Sequence, residues 1–154
     1  MSINWISFTP GTRNFTPLPG EQFFFNQDGV RLDLAWGGGY PGNSGSFSAK
    51  TGTLHLTNRR IVYIPTPAQP HFQSLTIPLN HAQQGRLSQP WFGVNYYTCV
   101  VYPVYGGGIK LPSETKFYFH EGGAFEFSTL LRQFHDRIQE TGEFPTSNEP
   151  LPQY

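Results

Sequence analysis

Arg59 and Arg60 adjoin within the segment TGTLHLTNRRIVYI (residues 51–64), and Lys50 stands just before it. Guanidinium groups make paired hydrogen bonds to phosphate oxygens, so an anion-binding cluster is one reading of these cations. The other reading is structural: one arginine lies on a solvated turn and the other pairs with a nearby carboxylate. The 10 Lys+Arg of the chain balance its 10 Asp+Glu, and no polybasic run reinforces the cluster. His55, His71, His81, His120 and His135 are dispersed, with no His-x-His or His-x-x-x-His pair, so a metal site would need the fold to gather them. Glu126 and Asp136 are the acids near the amphipathic stretch of residues 127–141, where a solvated or salt-bridged face is the expectation. Cys99 lies in an apolar run, the setting of a buried, inert thiol. No Gly-x-Ser-x-Gly elbow occurs, and GGGYPGNSG (residues 37–45) lacks the lysine and helix that follow a phosphate-binding loop. Tyr96, Tyr97, Tyr102 and Tyr105 would stack on nucleobases only beside a basic surface, so packing is the expectation and direct nucleic-acid binding is not. With neither a nucleophile–base pair nor a metal signature, the sequence predicts no enzyme and no cofactor.

The composition bounds the architecture that must hold these residues. A chain of 154 residues is one domain by length and can bury a core without staples. Hydrophobic residues make up only 37%, but aromatics reach 16%, with Phe 14 and Tyr 8, so the apolar material sits in large rings. A neutral chain of pI near 7.0 has no general attraction for nucleic acid or anionic membrane. Cys99 is the single cysteine, which excludes an internal disulfide framework and fits a reducing compartment. The opening MSINWISFTPGTR does not read as a secretory signal, and no run approaches the roughly 20 apolar residues of a membrane span. The expectation is a soluble, intracellular monomer.

Residues 51–64 carry the clearest pattern. Leu54 and Leu56 alternate against Thr53, His55 and Thr57, Asn58 and Arg59 reverse the chain, and residues 61–64 return as a β-branched and aromatic strand. Before this hairpin, residues 1–20 read as an irregular arm pinned by Trp5 or Phe8. Asp28-Gly29 is a turn, residues 30–36 are a half-buried strand, and residues 37–48 are a flexible Gly/Ser loop. After it, Pro65, Pro67 and Pro70 break the sheet, and Leu75, Ile77 and Leu79 alternate towards an edge strand near Pro78. Residues 81–89 are a short polar strand candidate. Residues 91–104, WFGVNYYTCVVYPV, are apolar on both faces and predict a central strand covered on each side. Residues 115–121 put Phe117 and Phe119 inward, Gly122-Gly123 reverse the chain, and residues 124–127 predict a last strand. Phe127, Leu130, Leu131, Phe134 and Ile138 then recur at helical spacing over residues 127–141, with Ser128 as N-cap and Gly142 as stop. Six or seven strands and one terminal helix predict a mainly β fold: a bent sheet, or two orthogonal sheets, plugged by the helix. From residue 143 the chain turns to proline and polar residues, and Pro150 and Pro152 favour a preformed polyproline helix.

Three segments carry a family likeness. The hairpin Gly52-Thr53-Leu54-His55-Leu56-Thr57 with its basic turn is similar to the central strand pair of GRAM domains. With Gln89-Pro90-Trp91-Phe92-Gly93-Val94-Asn95-Tyr96 and Gly122-Gly123-Ala124-Phe125-Glu126-Phe127, in that order, it resembles the WW domain-binding protein 2 family, of which the chain would be a divergent member. The resemblance implies a pleckstrin-homology-like, seven-stranded bent sandwich capped by one C-terminal helix over residues 21–142. Residues 1–20 would be the arm and residues 143–154 a disordered proline-rich tail. That family carries Pro-Pro-x-Tyr motifs in its tail for WW domains. Here the candidate is the variant Leu151-Pro152-Gln153-Tyr154, with Leu151, Pro152 and Tyr154 as the contact residues. The implied role is a non-enzymatic adaptor, like a transcriptional coactivator, whose partners are WW-domain proteins of the HECT-type ubiquitin ligase or transcriptional regulator classes, in cytoplasm and nucleus. The alternative it implies is a membrane-targeting module that reads phosphoinositides through Lys50, Arg59 and Arg60.

Overall fold

In the computed structural model the described residues are 2–3, 15–37, 45–67, 69–104, 106–108 and 111–142. They form two antiparallel sheets of five strands each and one C-terminal helix. The first sheet runs in the order β1 (Ser2–Ile3), β7 (Leu75–Pro78), β6 (Arg60–Pro65), β5 (Gly52–Thr57), β2 (Phe23–Gln27). The second runs β4 (Gly45–Ala49), β3 (Val30–Trp36), β10 (Ser113–Phe119), β9 (Tyr96–Val101), β8 (Ala82–Ser88). Helix α1 spans Ala124–Thr141.

Alternation decides which faces meet. Leu54 and Leu56 of β5, Ile61 and Tyr63 of β6, and Leu75 and Ile77 of β7 all turn to one side of the first sheet and are fully buried. Facing them, Val30, Leu32 and Leu34 of β3, Tyr97, Cys99 and Val101 of β9, and Phe117 and Phe119 of β10 close one core. The Tyr63 hydroxyl crosses from the first sheet to the second and donates to the Val30 carbonyl at 2.7 Å. Helix α1 seals the open end with Ala124, Phe127, Leu131 and Phe134. Phe127 is the centre of this seal: its ring lies 5.7 Å from Phe25, 5.2 Å from Tyr97, 6.0 Å from Phe117 and 5.7 Å from Phe119. One side chain thus touches both sheets, in the tilted and edge-on geometries that aromatic quadrupoles favour.

Several sequence expectations are corrected. Among the described residues the strands number ten, against the six or seven expected. Ser2–Ile3, assigned to the irregular arm, pairs with β7 through Ser2–Thr76 and Ile3–Leu75; Trp5 and Phe8 lie outside the described residues. Residues 45–49, read as flexible loop, form β4, because Phe47 and Ala49 alternate inward and Phe47 packs on Trp36 and Phe72. Gly45 permits this pairing, since a β-carbon there would collide with the Trp36 indole. The predicted central strand over residues 91–104 shrinks to Tyr96–Val101, because Pro90 and Gly93 hold residues 89–95 in a loop. The centre of the second sheet is β10, and β9 lies between it and β8 with only its Tyr97–Cys99–Val101 face buried. The last strand predicted over residues 124–127 is the first turn of α1. Gly123, at φ 98°, ends the extended run, and its carbonyl accepts the Phe127 N–H at 3.0 Å. Ser128 is therefore a buried residue inside the helix and not its cap, whereas Gly142 does end it, donating to the Ile138 carbonyl at 2.7 Å.

Phe127→Ala removes the ring that joins both sheets to the helix. It is expected to lower unfolding free energy by about 3–5 kcal/mol in urea titration; a loss below about 1 kcal/mol would show that the sheets close without it.

Candidate functional site

The β5–β6 turn carries the basic pair, and its geometry assigns Arg60 a structural task. Asn58 and Arg59 form the turn without glycine, because the Thr57 hydroxyl accepts the N–H groups of Arg59 and Arg60, each at 3.1 Å. The same hydroxyl donates to Glu21 at 2.7 Å. Arg60 grips Glu21 through both carboxylate oxygens, at 2.8 Å from Nε and 3.0 Å from the terminal nitrogen. The Leu18 N–H adds a bond to Glu21 at 2.9 Å, and the Arg60 guanidinium lies over the Phe15 ring, 5.2 Å from its centroid. The Glu21 side chain is 0% exposed. Burial pushes the Glu21 carboxyl up, but hydrogen bonds from Arg60, Leu18 and Thr57 and the charge of Arg60 outweigh it and hold the pKa below its ordinary value. Asn58 completes the clasp by donating to the Gly20 carbonyl at 3.1 Å and accepting the Gln22 N–H at 2.8 Å.

The three cations proposed as a phosphate contact therefore do not converge. Arg60 is committed to Glu21, the structural alternative that the sequence already allowed. Lys50 is exposed and precedes β5, whereas Arg59 follows it, and the six residues of that strand separate them by roughly 20 Å. The Arg59 side chain is half-buried beside Gly20. Leu151, Pro152 and Tyr154 lie outside the described residues. Among those residues, no three His, Cys, Asp or Glu side chains gather to hold a metal ion. Cys99 is buried, and burial pushes its thiol up to about 12. Glu126 is exposed in the first turn of α1, where the helix dipole favours an acid.

Two features were missed in the sequence. The first is a cleft of about 550 Å³ on the outer face of the first sheet, lined by Phe15, Phe23, Asn26, Asp28, Thr53, His55, Ile64 and Thr66. Phe15 packs on Val62 and Ile64 there and meets Phe23 and His55 at 5.1 and 5.2 Å. His55 Nδ1 bonds Asn26 Oδ1, and burial lowers its pKa to about 4 despite the opposing charge of Asp28. Its alternation with Leu54 and Leu56 was visible, but the Phe15 that covers it comes from a stretch without periodicity.

The second is a loop of exposed rings. Trp91 is 98% exposed and Phe92 94%, and Phe125 on the first turn of α1 is 68% exposed. The flanking Pro90 and Gly93 were the sequence signal that this apolar run leaves the sheet.

Two sheets closed by a C-terminal helix are the pleckstrin-homology-like class. The structure is similar to the Vps36 N-terminal PH domain, with TM-score 0.61 and 17% identity over 91% of this chain and 95% of that one. A weaker likeness, TM-score 0.50 and 12% identity, links it to a chain of the 8S snRNP assembly intermediate, covering 87% of this chain and 91% of that one. No protein-family model matches the sequence. In sequence it is 34% identical over 157 residues to the UPF0664 stress-induced protein C29B12.11c of Schizosaccharomyces pombe, spanning 100% of this chain and 88% of the relative. The chain belongs to the UPF0664 family. It is also 26% identical over 132 residues, 85% of its length, to the postacrosomal sheath WW domain-binding protein of Macaca fascicularis. The match spans 51% of the macaque protein, about half.

Glu21→Gln keeps the shape of the clasp but strips the charge that faces buried Arg60. A loss of about 3 kcal/mol in denaturant unfolding at pH 7 is expected; a loss under about 1 kcal/mol would mean that the pair contributes nothing net. His55 titrates in a separate window. Its folded pKa, about 4, lies below the unfolded 6.5, so between those values the unfolded chain binds a proton that the folded chain refuses. Stability should fall by up to about 3 kcal/mol as pH drops from 6.5 to 4, and His55→Gln should flatten that slope. Parallel pH curves for the two proteins would refute the assignment.

Proposed function

We propose that this chain is a non-enzymatic adaptor: a GRAM-type pleckstrin-homology-like domain that presents the peptide Leu151-Pro152-Gln153-Tyr154 to WW domains. The observation that carries this reading is the likeness to a WW domain-binding protein over 85% of the chain, joined to a Leu-Pro-x-Tyr peptide in a proline-rich stretch. Pro150 and Pro152 bias that stretch towards the extended helix that aromatic grooves accept at low entropic cost, and Tyr154 supplies the ring that distinguishes this motif from other proline-rich ligands. The three segments of family likeness support membership of the WW domain-binding protein 2 group at the finer level. HECT-type ubiquitin ligases and transcriptional regulators are the partner classes, and cytoplasm and nucleus the places of work, in a coactivator-like role. The phosphoinositide alternative loses its support with Arg60 held by Glu21 and Lys50 far from the turn.

Isolated WW domains titrated with the intact protein test the reading. Tyr154→Ala should weaken binding about tenfold or more, with the melting temperature unchanged. Equal affinity for both proteins, or none for either, would refute it.

A further inference from the structure

Trp91 and Phe92 stand out because no part of the described fold uses them. Two adjacent rings at 98% and 94% exposure form no contact that stabilises the domain, and exposed aromatic groups of this size mark interaction surfaces. Their loop is placed by the second sheet. Strand β8 ends at Ser88, which pairs with Tyr96, and Tyr96 pairs with Tyr118 near the end of β10. The Asn95 carbonyl accepts the Phe119 N–H at 3.0 Å, which ties the loop to the turn that opens α1. That turn is tied in its own right to the β2–β3 connection, since the His120 N–H donates to the Gly29 carbonyl at 3.1 Å and the Glu121 side chain lies against Gly29. Three connections thus leave the same end of the molecule, and they place Phe125 at the end that carries Trp91 and Phe92.

The connections at this end carry acids; beside them Arg31 lies over the Tyr118 ring, paired with Asp33 at 2.9 Å, and Lys116 lies 5.9 Å from the Tyr96 ring. Residues 26–30, 89–95 and 119–126 contain Asp28, Glu121 and Glu126, all exposed, and neither lysine nor arginine. An acidic rim around exposed rings repels an anionic bilayer and attracts a basic partner. Tryptophan is also the residue that most often anchors a protein contact, when it enters a pocket that excludes water.

We infer that the Trp91-Phe92 loop, with Phe125 and the acids Glu121 and Glu126, is a second docking surface, for a protein segment that combines apolar side chains with lysine or arginine. It shares no residue with the Leu151-Pro152-Gln153-Tyr154 peptide.

Short random peptides displayed on phage and selected on the intact protein test this. Peptides rich in Lys or Arg and in large apolar residues should be recovered. Their affinity should fall about tenfold or more with Trp91→Ser plus Phe92→Ser, and severalfold, with a shallower salt dependence, with Glu121→Lys plus Glu126→Lys. Tyr154→Ala should change nothing. These side chains are exposed, so unchanged melting curves would confirm that the variants fold. Recovery of no basic apolar peptide, or affinities that ignore both double variants, would overturn the inference. Loop-dependent binding to phosphatidylcholine or phosphatidylserine vesicles, or self-association lost with Trp91→Ser plus Phe92→Ser, would assign the surface to a bilayer or a second copy and overturn it equally.

Discussion

Closure of two sheets around the Phe127 ring is the constraint on which the other features depend. Neither sheet is a domain alone: each is apolar on one face, and the end between them needs a plug. Phe127 meets β2 of the first sheet through Phe25 and β9 and β10 of the second through Tyr97, Phe117 and Phe119. Because the helix must begin where that ring can reach both sheets, the chain turns at Gly122 and Gly123 directly after β10. Phe125, two residues before Phe127, then falls on the opposite side and stays 68% exposed. The same geometric demand that builds the core therefore sets a ring on the surface.

The Glu21–Arg60 clasp plays a different part. It does not fill the core but fixes what covers the outer face of the first sheet, by holding residues 15–22 across β5 and β6. A buried ion pair offsets its own desolvation only when its hydrogen bonds are complete, and here both carboxylate oxygens and the Thr57 hydroxyl are engaged. The PH-like scaffold thus uses its most suggestive cation internally, and its accessible chemistry moves to aromatic and acidic groups elsewhere.

The sequence was legible wherever short-range periodicity governed structure. Leu54 and Leu56 against His55 and Thr57 gave the hairpin, and Leu131 and Phe134 gave the helix, because the alternation of two or of three to four is the physical cause of burial. It failed where a pattern fits two periods or none. Ala124-Phe125-Glu126-Phe127 alternates like a strand, but the buried set Ala124, Phe127, Ser128 and Leu131 follows helical spacing. Trp91 and Phe92 carried the composition of a core strand, and only Pro90 and Gly93 spoke against it. Pairings such as Arg60 with Glu21, 39 residues apart, leave no local trace, so the fate of that arginine was decided by tertiary contact alone.

Cys99 gives the molecule a built-in clock. It is the only cysteine in the chain and is sealed between the sheets. Burial pushes its pKa up to about 12, so the thiolate is scarce at neutral pH, and reagents do not reach it while β9 is paired. Alkylation must wait for the second sheet to open, so the rate at which the single thiol is consumed counts the openings of the sandwich.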